Sequence, residues 1–201
     1  MIILRDIIQG SPEWHNEKLG KVSASNINKI ITATGGKSIQ RDGYMNRLAA
    51  EIITGRKAKS FKSDAMNVGN ERENESRSNF EFHTDLEVEQ VGIIYKNDKK
   101  LFLCSPDGII KGKKQGTEFK NPEDHTQIKR LRKNKLPTEY FVQVQSSLYI
   151  TGFECWHFFS YVPDMKPLHI IVEPNKIFHN KLKIALNIFC KELAEITERL
   201  K

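Results

Sequence analysis

Cysteine is scarce and unpaired in this chain: Cys104, Cys155 and Cys190 are scattered, and no Cys-x-x-Cys occurs. An odd, dispersed set excludes a disulfide framework and a cysteine zinc site, and it suits a reducing compartment. Each cysteine sits among apolar residues, so buried and inert thiols are expected. The histidines lack zinc-ligand spacing. No apolar run approaches the ~18 residues that span a bilayer, so no membrane association is expected. The first ten residues, MIILRDIIQG, are broken by Arg5 and Asp6. They therefore lack the uninterrupted apolar core of a signal peptide and are expected to form an edge of the fold in a cytoplasmic protein. There is no repeat, low-complexity tract or long linker. With 201 residues, a single domain over residues 1–201 with one sizeable core is the expectation. Acidic residues are outnumbered, 25 against 32 Lys and Arg, and the resulting charge of +7 points toward an anionic partner.

The patterning that is present alternates between helix and strand. Ser11-Pro12-Glu13-Trp14 places an N-cap, a first-position proline and an acid at the positive end of a helix. KVSASNINKII predicts a second capped helix, with Ile27, Ile30 and Ile31 along one face. GYMNRLAAEIITG predicts an amphipathic helix stopped by Gly55, and a further helical stretch is expected from about Ser63 to Phe82. Then come short β-prone runs, LEVEQVGIIY, KLFLCS, DGIIKG and GTEFKN, read as one antiparallel meander. Helices return over DHTQIKRLRKNK and PTEYFVQVQSSLYITG. CWHFFSYV and PLHIIVE read as strands, and a long amphipathic helix closes the chain. Mixed α/β is the fold class. Trp14, Trp156, Phe158 and Phe159 are assigned to packing, as are Ile184, Leu186, Ile188, Phe189, Leu193 and Ile196 of the last helix.

One constellation carries chemistry. In SPDGIIKGKKQGTEFKNP, Glu118 and Lys120 are two apart on a strand and project to one face, with Phe119 turned to the core. Asp107 opens the other arm of the hairpin and can lie beside them. Two carboxylates and a backbone carbonyl, that of Phe119, are hard oxygen donors suited to Mg²⁺ or Mn²⁺, with Lys120 near the attacking water. Phosphodiester cleavage needs such a set. The same residues also suit a common turn followed by a solvated strand face. Glu73, in NERENES, could complete the site or lie on an exposed helix face.

Taken in order, SPEW with EKLGKVSAS, VGNERENE, CSPDGII, GTEFKNP and PTEYFVQVQSSLYITG…CWHFFSYVPD resemble the lambda-exonuclease (YqaJ-like) viral recombinase family. The resemblance runs from about Ser11 to Asp164. It implies a restriction-endonuclease-like fold, a central mixed sheet flanked by helices. It also implies digestion of duplex DNA from 5′ ends with Mg²⁺ (or Mn²⁺), two ions in all, releasing mononucleotides and leaving a 3′ single strand for recombination. Position by position, Asp107 and Glu118 are the implied metal acids, Lys120 the motif lysine, Glu73 the helical acid and Gln143 the motif glutamine; Gln145 should face elsewhere. Ser25, Lys18 and Ser105 are the implied 5′-phosphate ligands. The family's best-known member has arginine where this chain has Lys18, so the bidentate fork is lost. The family also implies a phage or prophage origin, a toroidal trimer and a single-strand annealing partner.

Beside such a site, Lys129, Arg130, Arg132, Lys133 and Lys135 read as a surface that tracks the DNA backbone; alone, they read as a solvated helix face. Two alternatives stay open: an endonuclease on the same fold, and a catalytically inactive DNA-binding protein.

Overall fold

Local chemistry sets the helix ends. A computed structural model describes residues 1–57 and 72–201. Ser11 caps α1 (Pro12–Glu17), its hydroxyl accepting from the Trp14 amide at 3.2 Å. α2 spans Arg41–Thr54, α3 Glu73–Thr84, α4 Asp124–Lys133 and α5 Thr138–Thr151. Gly152 (φ 67°) ends α5 in the left-handed region that glycine enters freely. The closing helix α6 (Lys176–Leu200) starts at Asn175, whose side chain accepts from the Phe178 amide at 2.9 Å. Among the described residues no helix is long and apolar enough to cross a membrane.

The strands build two sheets. In the first, β1 (Ile2–Leu4) lies at the edge beside β4 (Ile93–Tyr95), followed by β5 (Phe102–Cys104) and β2 (Val22–Ser23). The second runs β3 (Val88–Glu89), β6 (Gly108–Ile110), β7 (Gln115–Lys120), β8 (Cys155–Ser160) and β9 (Leu168–Val172). Its one parallel pair, β7 with β8, sets Glu118 against Phe158 and Lys120 against Ser160. The α4–α5 segment supplies the crossover that a parallel pair requires.

Alternation sorts these strands into two faces. Phe119 and Phe159 share one face with Phe80 of α3, at centroid distances of 5.6 and 5.5 Å. Glu118, Lys120, Trp156 and Phe158 share the other, toward α4 and α5. The main core joins Trp156 to Leu48 of α2, Leu148 of α5 and Leu186, Phe189 and Leu193 of α6. Ile184 and Ile188 stay exposed on α6.

Two expectations need correction, and a third is described only in part. KVSASNINKII is not a second α-helix: Val22 and Ser23 pair in parallel with β5, and only the 3₁₀ turn Ala24–Lys29 follows. Ile27, Ile30 and Ile31 are buried all the same, so the periodicity marked burial and not helix type. The strand run is not one meander, because LEVEQVGIIY contains β3 and β4, which join different sheets. Finally, the helix expected from about Ser63 is described only as α3, from Glu73; residues 63–71 lie outside the described part.

Candidate active site

The β6–β7 hairpin forms as its sequence predicts, with Gly108 paired to Thr117 and Ile109 to Gly116. Asp107 sits just before β6. Its amide donates to the Thr117 carbonyl at 3.3 Å, and its carboxylate Oδ2 accepts from the Phe119 amide at 2.5 Å. Both bonds tie Asp107 to the strand that carries Glu118. Glu118 is 3% exposed; its Oε1 accepts from Gln143 Nε2 at 2.6 Å and from Lys120 Nζ. Gln143 reaches it from α5. Two positions on, Gln145 turns away and bonds the Glu173 carbonyl at 2.8 Å and the Asn175 amide at 2.8 Å. Glu73 opens α3 and pairs with Arg77 one turn on, at 3.2 Å.

The electrostatics show that these groups form one cluster. Burial pushes the Asp107 carboxyl well up, and the Glu118 and Glu73 charges add to it; Lys120 and the Phe119 amide pull against them. Burial also raises the Glu73 carboxyl, while Arg77 and Lys120 oppose and Glu118 reinforces. Burial disfavours the Lys120 ammonium, yet Glu118 and Asp107 outweigh it and hold the amine protonated. The carboxyls of Asp107, Glu118 and Glu73 and the Lys120 ammonium thus act on one another directly.

This clustering bears on metal binding. Among the described residues no three His, Cys, Asp or Glu side chains form a ready metal cluster. What faces the hairpin is a smaller donor set: Asp107, Glu118 and the Phe119 carbonyl. Of the carboxylate oxygens, Asp107 Oδ2 and Glu118 Oε1 carry the hydrogen bonds to described residues, leaving Oδ1 and Oε2 as lone-pair donors. Hard, incomplete and anionic, this set fits Mg²⁺, which keeps several waters and leans on substrate phosphate.

A cavity of about 900 Å³ adjoins the cluster, lined by Trp14, Lys18, Ser23, Asn26, Arg47 and Glu73 among others. The Lys18 ammonium rests 3.5 Å from the Trp14 ring centroid. Burial, with Lys57 adding repulsion, lowers its pKa to about 8. The Trp14 indole N–H donates to Ser105 Oγ at 3.0 Å, so one side chain links two of the three predicted phosphate ligands. Ser25 is exposed, with its hydroxyl 3.3 Å from that of Ser23; among the described residues Ser23, not Ser25, lines the cavity. Trp14 therefore does more than pack. Arg47 comes from a segment with no chemical motif, and Asn26, though next to Ser25, was not singled out in the sequence.

The basic segment divides. Lys129, Arg132, Lys133 and Lys135 are exposed on and after α4, as a backbone-tracking surface requires. Arg130 is not: it is 7% exposed and bonds Ser160 Oγ and Tyr140 Oη, each at 2.9 Å. Its place on the inner face of α4 removes it from that surface. His125 is exposed beside Glu123, and the buried His157 bonds His169 and Gln115 on the opposite sheet face.

The model of the YqaJ-like viral recombinase domain matches residues 13–154. This chain belongs to the YqaJ-like viral recombinase family. The alkaline exonuclease LHK-Exo from Laribacter hongkongensis is similar across 94% of this chain and 96% of its own, with 29% identity and a TM-score of 0.85. The same enzyme in complex with dAMP gives 27% identity, 95% and 96% coverage, and a TM-score of 0.85. A phage-related exonuclease from Haemophilus somnus 129PT shares the fold at 13% identity, with a TM-score of 0.69 over 90% of this chain and 96% of that one. No curated protein matches by sequence. The fold of this chain is thus restriction-endonuclease-like, as the resemblance of its motifs implied.

Proposed function

We propose that this chain is a metal-dependent deoxyribonuclease that digests duplex DNA from 5′ ends, yielding mononucleotides and a 3′ single-stranded tail. The convergence of Asp107, Glu118, Lys120 and Gln143 on one hairpin carries the reading. It does so in a chain that resembles an alkaline exonuclease along nearly its whole length. LHK-Exo has been captured with dAMP, a mononucleotide, which supports the same product here. The chain is an enzyme of the nuclease class, and residues 1–201 act as one nuclease domain.

Asp107, Glu118 and the Phe119 carbonyl would hold Mg²⁺ or Mn²⁺, two ions at full occupancy with Glu73 contributing. Bound there, the metal lowers the pKa of a water and neutralises phosphate charge. The side chains supply the rest. Gln143 fixes the rotamer of Glu118, and the Asp107–Phe119 bond locks the hairpin ends together. Lys120, held protonated, offers a cation to the attacked phosphate or its water. Lys18 and Ser105, joined through Trp14, would bind the 5′-phosphate, with Ser25 contributing from beside Ser23. Lysine there binds as a point charge, so a preference for phosphorylated ends would be graded. Lys129, Arg132, Lys133 and Lys135 would track the DNA backbone. Work in the cytoplasm of a phage-infected bacterium, as a trimer with a single-strand annealing protein receiving the tail, would complete this role.

Linear and covalently closed circular duplexes, each with Mg²⁺ or EDTA, decide the matter. Loss of the linear DNA alone is expected, and Asp107→Ala should bring it to the EDTA background. Nicking of the circle would replace this reading with an endonuclease. Binding without any Mg²⁺-dependent hydrolysis would sink both.

A further inference from the structure

Arg130 is a buried cation that the cleavage chemistry above leaves unused. Burying a guanidinium is costly unless its donors are satisfied, yet its hydrogen-bond partners among the described residues, Ser160 Oγ and Tyr140 Oη, are hydroxyls and not carboxylates. Its Nε is buried with no partner among the described residues. Two aromatic faces complete its surroundings, Tyr140 at 5.2 Å and Phe158 at 5.9 Å from the guanidinium carbon.

These contacts surround Lys120 without touching it. Ser160 is the register partner of Lys120 on the adjacent strand. The Ser160 hydroxyl is itself fixed, donating to Gln127 Oε1 at 2.6 Å, while Gln127 Nε2 holds the Ser160 and Lys166 carbonyls at 3.0 and 3.1 Å. Tyr140 lies three residues before Gln143 on α5, so the two side chains share a helix face. Gln143 grips Glu118, and the Tyr140 ring lies under the Lys120 ammonium, 5.4 Å from Nζ to centroid. The ring packs against Phe158 at a centroid distance of 5.2 Å, and the bond from Arg130 to its hydroxyl fixes its outer end.

We propose that Arg130 is a positioning residue for phosphodiester hydrolysis: by clamping Tyr140 and Ser160 it fixes the aromatic floor on which Lys120 rests. This rests on the nuclease reading above and extends it to a residue whose charge suggested direct DNA contact. A cation–π contact holds an ammonium only where the ring face is held still. Without the clamp, Lys120 would keep its charge and its bond to Glu118 but lose its fixed aromatic floor.

The test compares wild type with Arg130→Met, Tyr140→Phe and the double variant. Tyr140→Phe keeps the ring and removes only the hydroxyl that Arg130 holds. On linear duplex with Mg²⁺, each single change should lower kcat about ten- to a hundredfold, as small misplacements of a reacting group do, with KM nearly unchanged. The double variant should be no worse than the poorer single one, the mark of groups acting as one unit. A second readout uses metal-free protein carrying ¹³Cε-labelled lysine. The Lys120 ε-proton resonance, assigned by its loss in Lys120→Arg, should show an upfield ring-current shift in wild type. That shift should collapse toward the exposed-lysine value in Arg130→Met.

Unchanged kcat with raised KM and a weaker salt dependence would return Arg130 to DNA contact and overturn the proposal. Lowered thermal stability with normal kcat and an unmoved Lys120 resonance would overturn it in favour of a packing role. Should Arg130→Met fail to fold, Tyr140→Phe carries both readouts. Should wild type itself lack Mg²⁺-dependent hydrolysis, the nuclease reading falls, and the resonance alone judges the tie between Arg130 and Lys120.

Discussion

Gln143 and Gln145 are chemically identical and two positions apart, yet the structure gives them opposite work. Gln143 holds the Glu118 carboxylate at 2.6 Å. Gln145, 2% exposed, holds the backbone where β9 passes into α6. Gln143→Ala should therefore cut hydrolysis about ten- to a hundredfold, the usual cost of losing an outer partner of a metal-binding group, and leave the unfolding midpoint nearly unmoved. Gln145→Ala should do the reverse, costing about 1–3 kcal/mol of stability by stranding a buried carbonyl and amide. Urea titration and initial rates on the same preparations separate the two. The family resemblance implied Gln143, and helix geometry turned Gln145 away from it, because two residues on a helix lie about 200° apart. The place of Arg130 was not legible. Five basic residues in seven positions look uniform in composition; the helix face that buries one of them is set by where β8 lies, and no local pattern encodes that.

At the scale of elements, the hairpin was the most readable part, since Pro106-Asp107-Gly108 and Gly116 punctuate it. Gly116 also has a packing role. A Cβ there would stand 2.4 Å from the Trp156 ring, across the parallel pairing of β7 with β8. Gly116→Ala should cost about 1–3 kcal/mol through overpacking, visible as a lower urea midpoint, with weakened activity because Glu118 follows two residues on. An unchanged midpoint would show that Trp156 can yield. The capped helix α1 and the amphipathic helix α6 were also readable, as was β1 as an edge. Strand partners were not. Val88 pairs with Ile110 while Ile93 pairs with Leu4, and the choice lies in contacts far along the chain. The 3₁₀ turn after Val22 was missed for the same reason: parallel pairing with β5 overrode a helical period.

The whole molecule feels pH through a different pair of residues. Burial, then His169 and Lys113, lowers the His157 pKa to about 4, and burial lowers that of His169 as well. The unfolded chain, with histidine near ~6.5, binds these protons more tightly than the native state. Stability is then full above about 6.5 and is lost as pH falls toward about 4. Raised carboxyls such as Asp107 act with the opposite sign, so the contribution should be read as a difference. Between those limits the stability of wild type should fall more steeply than that of His157→Gln, by urea unfolding across the range. Parallel slopes would dismiss the histidine pair as the cause.

The β7–β8 pairing carries a kinetic consequence. It joins Gln115 to Cys155, forty positions apart, and contacts so remote in sequence close slowly. Glu73, Asp107, Glu118 and Gln143 are set in place by elements on both sides of that pairing. A growing chain on the ribosome would expose the hairpin well before β8 emerges. The protein should therefore gain its cutting power late and all at once. On refolding from denaturant, recovery of activity should share a time course with burial of Trp156.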